Sequence, residues 1–147
     1  MKILNKTLEF KTRGEFDFID FTEWVQNLVK KSQIKNGLIN IQTLHTTCAL
    51  ILNENEPLLL EDFKAHLEKI SPKKFDYNHN DFSRRTVNVC KEECANGHSH
   101  CRALHLPSSL TLNIVGGKLQ LGQWQRIFLV ELDIPKLRKV QIQIIGE

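Results

Sequence analysis

Four of the six histidines in this 147-residue chain fall in three short polar segments, and a fifth lies just beyond the last of them. The first is His45-Thr46-Thr47, leading on to Asn53-Glu54-Asn55. The second is Tyr77-Asn78-His79-Asn80-Asp81. The third is Asn96-Gly97-His98-Ser99-His100-Cys101, with His105 just beyond it. Imidazole changes charge near neutral pH and binds metals as the neutral ring, so it serves as proton carrier or as ligand. Each segment also offers a carboxylate, a hydroxyl or an amide. Three such clusters separated by apolar, periodic stretches resemble the lining of a site assembled on a scaffold. Histidines scattered over core and surface would give the same spacing, so the pattern leaves both readings open.

Within the third cluster, helical geometry separates the ring positions. His98, Cys101 and His105 stand at i, i+3 and i+7 and share one face, whereas His100 points nearly opposite. A regular helix keeps His98 and His100 from one ion; if Asn96 caps the helix, both could still face a common pocket from its first turn. Helix N-termini accept anions, so a phosphate-bearing ligand near Asn96 to His100 is physically reasonable, a capped helix with exposed histidines being the plain alternative. Cys90, Cys94 and His98 follow a four-residue spacing that would align three soft ligands, with Cys101 as a fourth. Common zinc signatures use tighter C-x-x-C knuckles, and burial or incidental surface thiols explain these cysteines as well.

Other polar residues could join such a site. Asp62 and His66 stand four apart and could pair on a helix surface, or Asp62 could orient a histidine from another segment. Glu54 closes an apolar run between two amides, where a carboxylate could act as base or ligand, or where asparagines simply build a turn. Trp124 could stack on a ligand or pack in core or interface.

The elements that must position these groups follow from periodicity. Ile3 to Thr12 reads as a strand, and Asp20 or Thr22 can cap a helix running to about Lys31 on the stripe Phe21, Trp24, Val25, Leu28 and Val29. Asn36-Gly37 marks a turn, Leu38 to His45 a strand, and Ala49 to Asn53 another. Pro57 suits the first turn of a helix with Leu59, Leu60, Phe63, Leu67 and Ile70 on one face. Residues 71 to 95 are polar and without period, a long loop that carries function. A short helix from about His98 to Leu106 is stopped by Pro107. Leu110 to Val115, Lys118 to Leu121, Arg126 to Asp133 and Val140 to Ile145 complete the strands. The expectation is an α+β fold, a sandwich-like antiparallel sheet domain with two to three helices spanning residues 1–147 as a single domain.

Composition bounds the function classes. The chain is 41% hydrophobic and 25% charged, with net charge +3 and dispersed basic residues, so no basic stripe interleaved with aromatics marks a nucleic-acid binder. No apolar run approaches the ~20 residues of a membrane helix, and the N-terminus lacks the apolar region of a signal peptide. A cytoplasmic location with no membrane partner is the expectation, and the four cysteines are then expected as thiols.

The same residues carry a family resemblance. In order, His45-Thr46-Thr47, Asn53-Glu54-Asn55, Asp62, Tyr77-Asn78-His79, Asn96 with Ser99-His100, Ser109-Leu110, Leu121-Gly122-Gln123-Trp124-Gln125, Glu131 and Ile145-Gly146-Glu147 resemble the YjbQ-like group, uncharacterised protein family 0047, also described as secondary thiamine-phosphate synthase enzymes. Three positions depart from that pattern: the stretch from Asn55 to Asp62 is one residue short, Pro107-Ser108 replaces a Gly-Pro pair, and Gln123 stands where threonine is common.

The resemblance implies a compact α+β homotrimer with a polar pocket containing His45, Glu54, Asp62, His79 and His100. It implies His79, His100 and Glu54 as catalytic residues, with Thr46, Thr47, Asn53, Asn55, Asn96, Ser99 and Trp124 binding a small phosphorylated substrate. A divalent ion, Mg²⁺ or Zn²⁺, could be held by His45, His79, His100 and Asp62. The implied reaction joins hydroxymethylpyrimidine diphosphate to thiazole phosphate and releases pyrophosphate. The alternatives are a metal-dependent, hydrolase-like enzyme and a phosphometabolite-binding protein without turnover.

Overall fold

Period-two burial sets the frame. Along the last strand, Arg138, Val140, Ile142 and Ile144 turn inward while Leu137, Lys139 and Gln143 face water. The run Ile127-Phe128-Leu129-Val130 is instead buried at every position, as in a strand covered on both faces. A computed structural model, which describes residues 1–147, shows how the two patterns meet. The strands are β1 (Lys2–Lys11), β2 (Phe18–Asp20), β3 (Gly37–Thr43), β4 (Cys48–Asn53), β5 (Ser109–Val115), β6 (Lys118–Leu119), β7 (Arg126–Glu131) and β8 (Leu137–Gly146). The helices are α1 (Thr22–Ser32), α2 (Pro57–Ile70) and α3 (Gly97–Ala103), with one 3₁₀ turn at Asn78–Asn80.

All strand pairs are antiparallel. One sheet runs β1-β8-β3-β5-β6 and the other β2-β7-β4. Between them lies the larger core, where Ile39, Ile41, Ile142 and Ile144 meet Leu50, Ile127 and Leu129, and where α1 adds Val25 and Val29. A second core of Ala49, Phe128, Val130 and Leu132 lies on the other face of the smaller sheet; Leu67 of α2 belongs to it, and Ala103 of α3 and Leu106 pack against it. The smaller sheet is thus buried on both faces, which explains the unbroken apolar run of β7. No helix is long and apolar enough to cross a membrane.

Most expected elements form within a residue or two of their expected bounds. Strand β2 was not expected; it is three residues long and pairs with β7 through Phe18, Ile19 and Asp20. Helix α1 takes Phe21 as its cap position without a side-chain bond. Asp20 instead accepts the Thr22 backbone N–H at 3.0 Å and pairs with Arg126. Helix α2 is capped by Glu56, whose carboxylate accepts from the backbone N–H groups of Leu58 and Leu59, ahead of Pro57 in the first turn. Helix α3 stops three residues earlier than expected, and Leu104 to Leu106 turn toward Pro107.

Candidate functional site

Antiparallel pairing brings chain-distant turns to one end of the sandwich. Cys48 pairs with Glu131 and Thr43 with Val140, so the β3–β4 turn lies beside the β7–β8 turn. The first carries His45, Thr46 and Thr47; the second carries Asp133 and Lys136. Helix α3 is moored against this end: the Ser99 hydroxyl donates to the Leu132 carbonyl, and the Asn96 side-chain amide donates to Asp133 at 3.0 Å. The 3₁₀ turn packs on α3 because Asn80 accepts the Gly97 backbone N–H at 2.9 Å. The result is a cleft of about 750 Å³ whose walls include His45, Thr46, Thr47, His79, Asn96 and His100. Arg85, Glu93 and Cys94 come from the long loop, and Lys136 and Arg138 from the last turn and strand.

The histidines are held differently. His45 accepts the Lys139 backbone N–H on Nε2 at 2.8 Å, which fixes the neutral tautomer with its proton on Nδ1. The rings of His79 and His100 meet edge to face with centroids 4.6 Å apart. Burial, and then the neighbouring His79, push the His100 pKa down; burial, and then Arg138, lower His45. Both are therefore neutral rings at pH 7. His79 Nε2 is buried without a hydrogen-bond partner and stands 4.0 Å from Glu93.

Carboxylates behind the wall hold the cations. Arg138, 2% exposed, donates to both oxygens of the fully buried Glu131 at 2.5 and 2.7 Å and to the Thr47 hydroxyl at 2.9 Å. Burial opposes ionisation of Asp133, but Lys136 and Asn96 outweigh it and hold its pKa at about 2. An ionised Asp133 only accepts, so Asn96 must turn its NH₂ toward it, and Asn96 Oδ1 is left buried and unpaired. Arg85 pairs with Glu93 at 2.6 Å and donates to the Asn88 carbonyl. Lys136 spends one of its three donors on Asp133, and Arg85 keeps Nε–H free, so both retain capacity for an anion.

His98 and His100 part company as helical geometry requires. His98 is buried against Glu15, 3.5 Å away, beside the fully buried Arg102, which donates to Glu15, Glu68 and the Ser71 carbonyl. Residues 90–94 are not helical, so the four-residue alignment of Cys90, Cys94 and His98 does not arise; Cys90 and Cys94 line the cleft, and His98 faces Glu15. All four cysteines are free thiols.

The remaining candidates sit elsewhere. Ser99 is fully buried behind the cleft wall. Asn53 pairs with Arg126 at the other end of β4, five residues from Cys48 and so about 17 Å away. Glu54 follows it, and Asn55 donates to Asp20 at that same end. Trp124 is 64% exposed just before β7, and Asp62 is exposed on α2. None of these lines the cleft within one chain. The expected ion-binding set His45, His79, His100 and Asp62 is therefore not assembled, no three His, Cys, Asp or Glu side chains are grouped to hold a metal ion, and His45 Nε2 is already occupied.

The sequence reading missed Arg85, Glu93, Asp133, Lys136 and Arg138 as parts of the site. For Arg138 a signal existed: it falls in phase with Val140, Ile142 and Ile144, so a charge on the inward face required a buried partner.

Comparison with known proteins agrees with this architecture. The profile of the family described as UPF0047 protein YjbQ-like matches residues 6–147. A UPF0047 protein of Methanothermobacter thermautotrophicus is 33% identical across 100% of this chain and 95% of its own length, and one of Archaeoglobus fulgidus is 35% identical across 92% and 97%. A crystal structure of a YbjQ-like protein of unknown function from Sulfolobus solfataricus superposes with a TM-score of 0.87 at 33% identity, covering 99% of each chain. With the profile covering nearly the whole sequence and the solved fold matching end to end, the chain belongs to the UPF0047 YjbQ-like family.

Proposed function

We propose that this protein is an enzyme acting on a small phosphorylated substrate in the three-histidine cleft, with thiamine-phosphate synthase activity as a secondary reaction. The observation that carries the proposal is that His45, His79 and His100 line one cleft together with Arg85 and Lys136, which keep spare donors. In that reaction the thiazole ring nitrogen attacks the methylene carbon of hydroxymethylpyrimidine diphosphate, the C–O bond breaks, and pyrophosphate leaves with the bonding pair. The nucleophile belongs to the substrate, so the protein needs no activated side chain of its own. Its work is to align the two rings and to take up the charge of the leaving group. Arg85 and Lys136 serve the diphosphate. A bound diphosphate also favours protonation of the adjacent imidazoles, so His100 or His79 then carries the proton that the departing pyrophosphate accepts.

Mass-spectrometric detection of thiamine phosphate from the two precursors, with and without Mg²⁺, tests this. Product should scale with wild-type protein and fall at least ~100-fold in folded His100→Ala, the scale of losing a positioned acid. Equal product from both proteins would reveal a contaminant and sink the assignment.

A metal-dependent hydrolase is the second reading: His79 Nε2 is buried without a partner, although within one chain no three His, Cys, Asp or Glu side chains are grouped around an ion site. Near-stoichiometric zinc in protein purified without added metal would support it over the first. In either reading we propose a homotrimer, which offers the end bearing Glu54, Asn55 and Trp124 a route to a neighbour's cleft. Light scattering should then return three times the chain's 17.1 kDa.

A further inference from the structure

Helix α2 is seated loosely. It carries the apolar stripe Leu59, Leu60, Phe63, Leu67 and Ile70, yet Leu67 is its single buried residue. Beneath it lies a cavity of about 240 Å³, walled by Phe63 and Leu67 of α2, Phe18 of β2, Ile51 of β4, Val130 of β7 and Leu106. This cavity shares no residue with the histidine cleft. An apolar cavity of roughly 150 Å³ already admits benzene, so this one has room for a substituted ring. Its walls define the chemistry of an occupant. The Phe18 ring stands 6.1 Å from that of Phe63 and edge-on to that of Phe128 at 6.4 Å, a corner where a further aromatic ring adds favourable edge and face contacts. No lysine or arginine lines the cavity, so a carboxylate or phosphate buried there would find no compensating charge. Two polar side chains do line it, Asn53 and His66, both at exposed positions and so at its mouth. Asn53 Oδ1 accepts the Glu54 backbone N–H at 2.9 Å, which leaves the amide NH₂ to donate to a ligand. An imidazole in its neutral form adds an acceptor, and a hydroxyl group, which both donates and accepts, satisfies the two together.

We propose that the cavity under α2 is a second ligand site, separate from the histidine cleft, for an uncharged aromatic molecule whose hydroxyl lies between Asn53 and His66. The ring replaces the contacts that the half-buried Phe63 and Ile51 lack within the chain. A phosphorylated molecule suits the cleft and not this cavity, so the two sites take different chemistry and the second stands whatever the cleft binds.

Toluene and p-cresol, which differ only by the hydroxyl, test this by calorimetry at pH 8, where an ordinary imidazole is neutral. Methyl NMR of Ile51 and Val130 in the same titrations locates the ligand. An apolar cavity without polar partners prefers toluene, because desolvating the hydroxyl is not compensated. The wild-type protein should reverse that order and bind p-cresol about fivefold more tightly, the scale of one or two net hydrogen bonds. The double variant Asn53→Leu, His66→Leu, altered only at exposed positions, should restore the preference for toluene. His66→Trp, which plugs the mouth from an exposed position, should exclude both molecules. A wild-type preference for toluene, or binding that survives His66→Trp, would overturn the site, as would failure of both molecules to bind. Ile51 and Val130 signals that move with protein concentration and not with p-cresol would assign the cavity to a second copy of the chain and equally overturn it.

Discussion

At the scale of single residues, the site is built from charges that the fold has already matched. Glu131 and Arg138 are both inside the sandwich, and their pairing aims Arg138 at Thr47 and so fixes the turn that presents His45. Removing one member of such a pair strands the other in a low-dielectric interior. Arg138→Met should therefore cost about 3–5 kcal/mol in chemical denaturation, whereas a loss under about 1 kcal/mol would mean that the pair is solvated. Asp133 orients its neighbours by contact: its carboxylate accepts from the Asn96 NH₂ at 3.0 Å and from Lys136 at 2.6 Å, which leaves Asn96 Oδ1 buried without a partner. The chemistry-bearing histidines were legible in the sequence because imidazoles among hydroxyls and amides are distinctive. Their partners were not, since Arg85, Asp133 and Lys136 read as ordinary surface charges until the chain folds.

At the scale of elements, α3 and the 3₁₀ turn act as one unit. A β-carbon at Gly97 would stand 2.5 Å from Tyr77 Cβ and 2.8 Å from its Cγ, closer than packed carbons approach. That closeness is what lets the ring of His79 reach His100. Gly97→Ala should force the two elements apart, costing about 1–3 kcal/mol by thermal denaturation and weakening anion binding; unchanged melting would show that the turn yields freely. Helices and strands were largely readable from periodicity, and Pro57 and Pro107 marked one helix start and one helix stop. Two things were not readable. Strand β2 is too short to show a period, and the separation of Glu54, Asn53 and Trp124 from the histidines is set by β4–β7 pairing, which no local pattern encodes. Sequence proximity in the family motif is thus not proximity in the single chain.

At the scale of the whole molecule, the pH dependence of stability follows from how these groups are buried. His45, His98 and His100 have folded pKa values below the usual 6.5, each pushed down first by burial. The unfolded chain binds their protons first, so stability present above that value declines as the pH falls below it. Asp133, ordinarily near 3.8 and held at about 2, behaves in the same sense: its contribution is present above 3.8 and is lost as the pH falls through 2. For Asp133 alone the loss is on the order of 2 kcal/mol. Melting temperature should hold from pH 8 to 7, decline below about 6.5 and decline again between about 4 and 2. A flat profile from pH 7 to 5 would mean that the three imidazoles are solvated.

The central claim is that one cleft gathers His45, His79 and His100 around a phosphorylated ligand. Nitrogen-detected NMR of ¹⁵N-histidine protein, titrated with inorganic pyrophosphate, tests it directly, because His66 and His105 lie outside the cleft and serve as internal references. The ring nitrogens of His45, His79 and His100 should shift together and saturably while those of His66 and His105 stay in place. Shifts confined to His66 or His105, or none at all at saturating pyrophosphate, would contradict it.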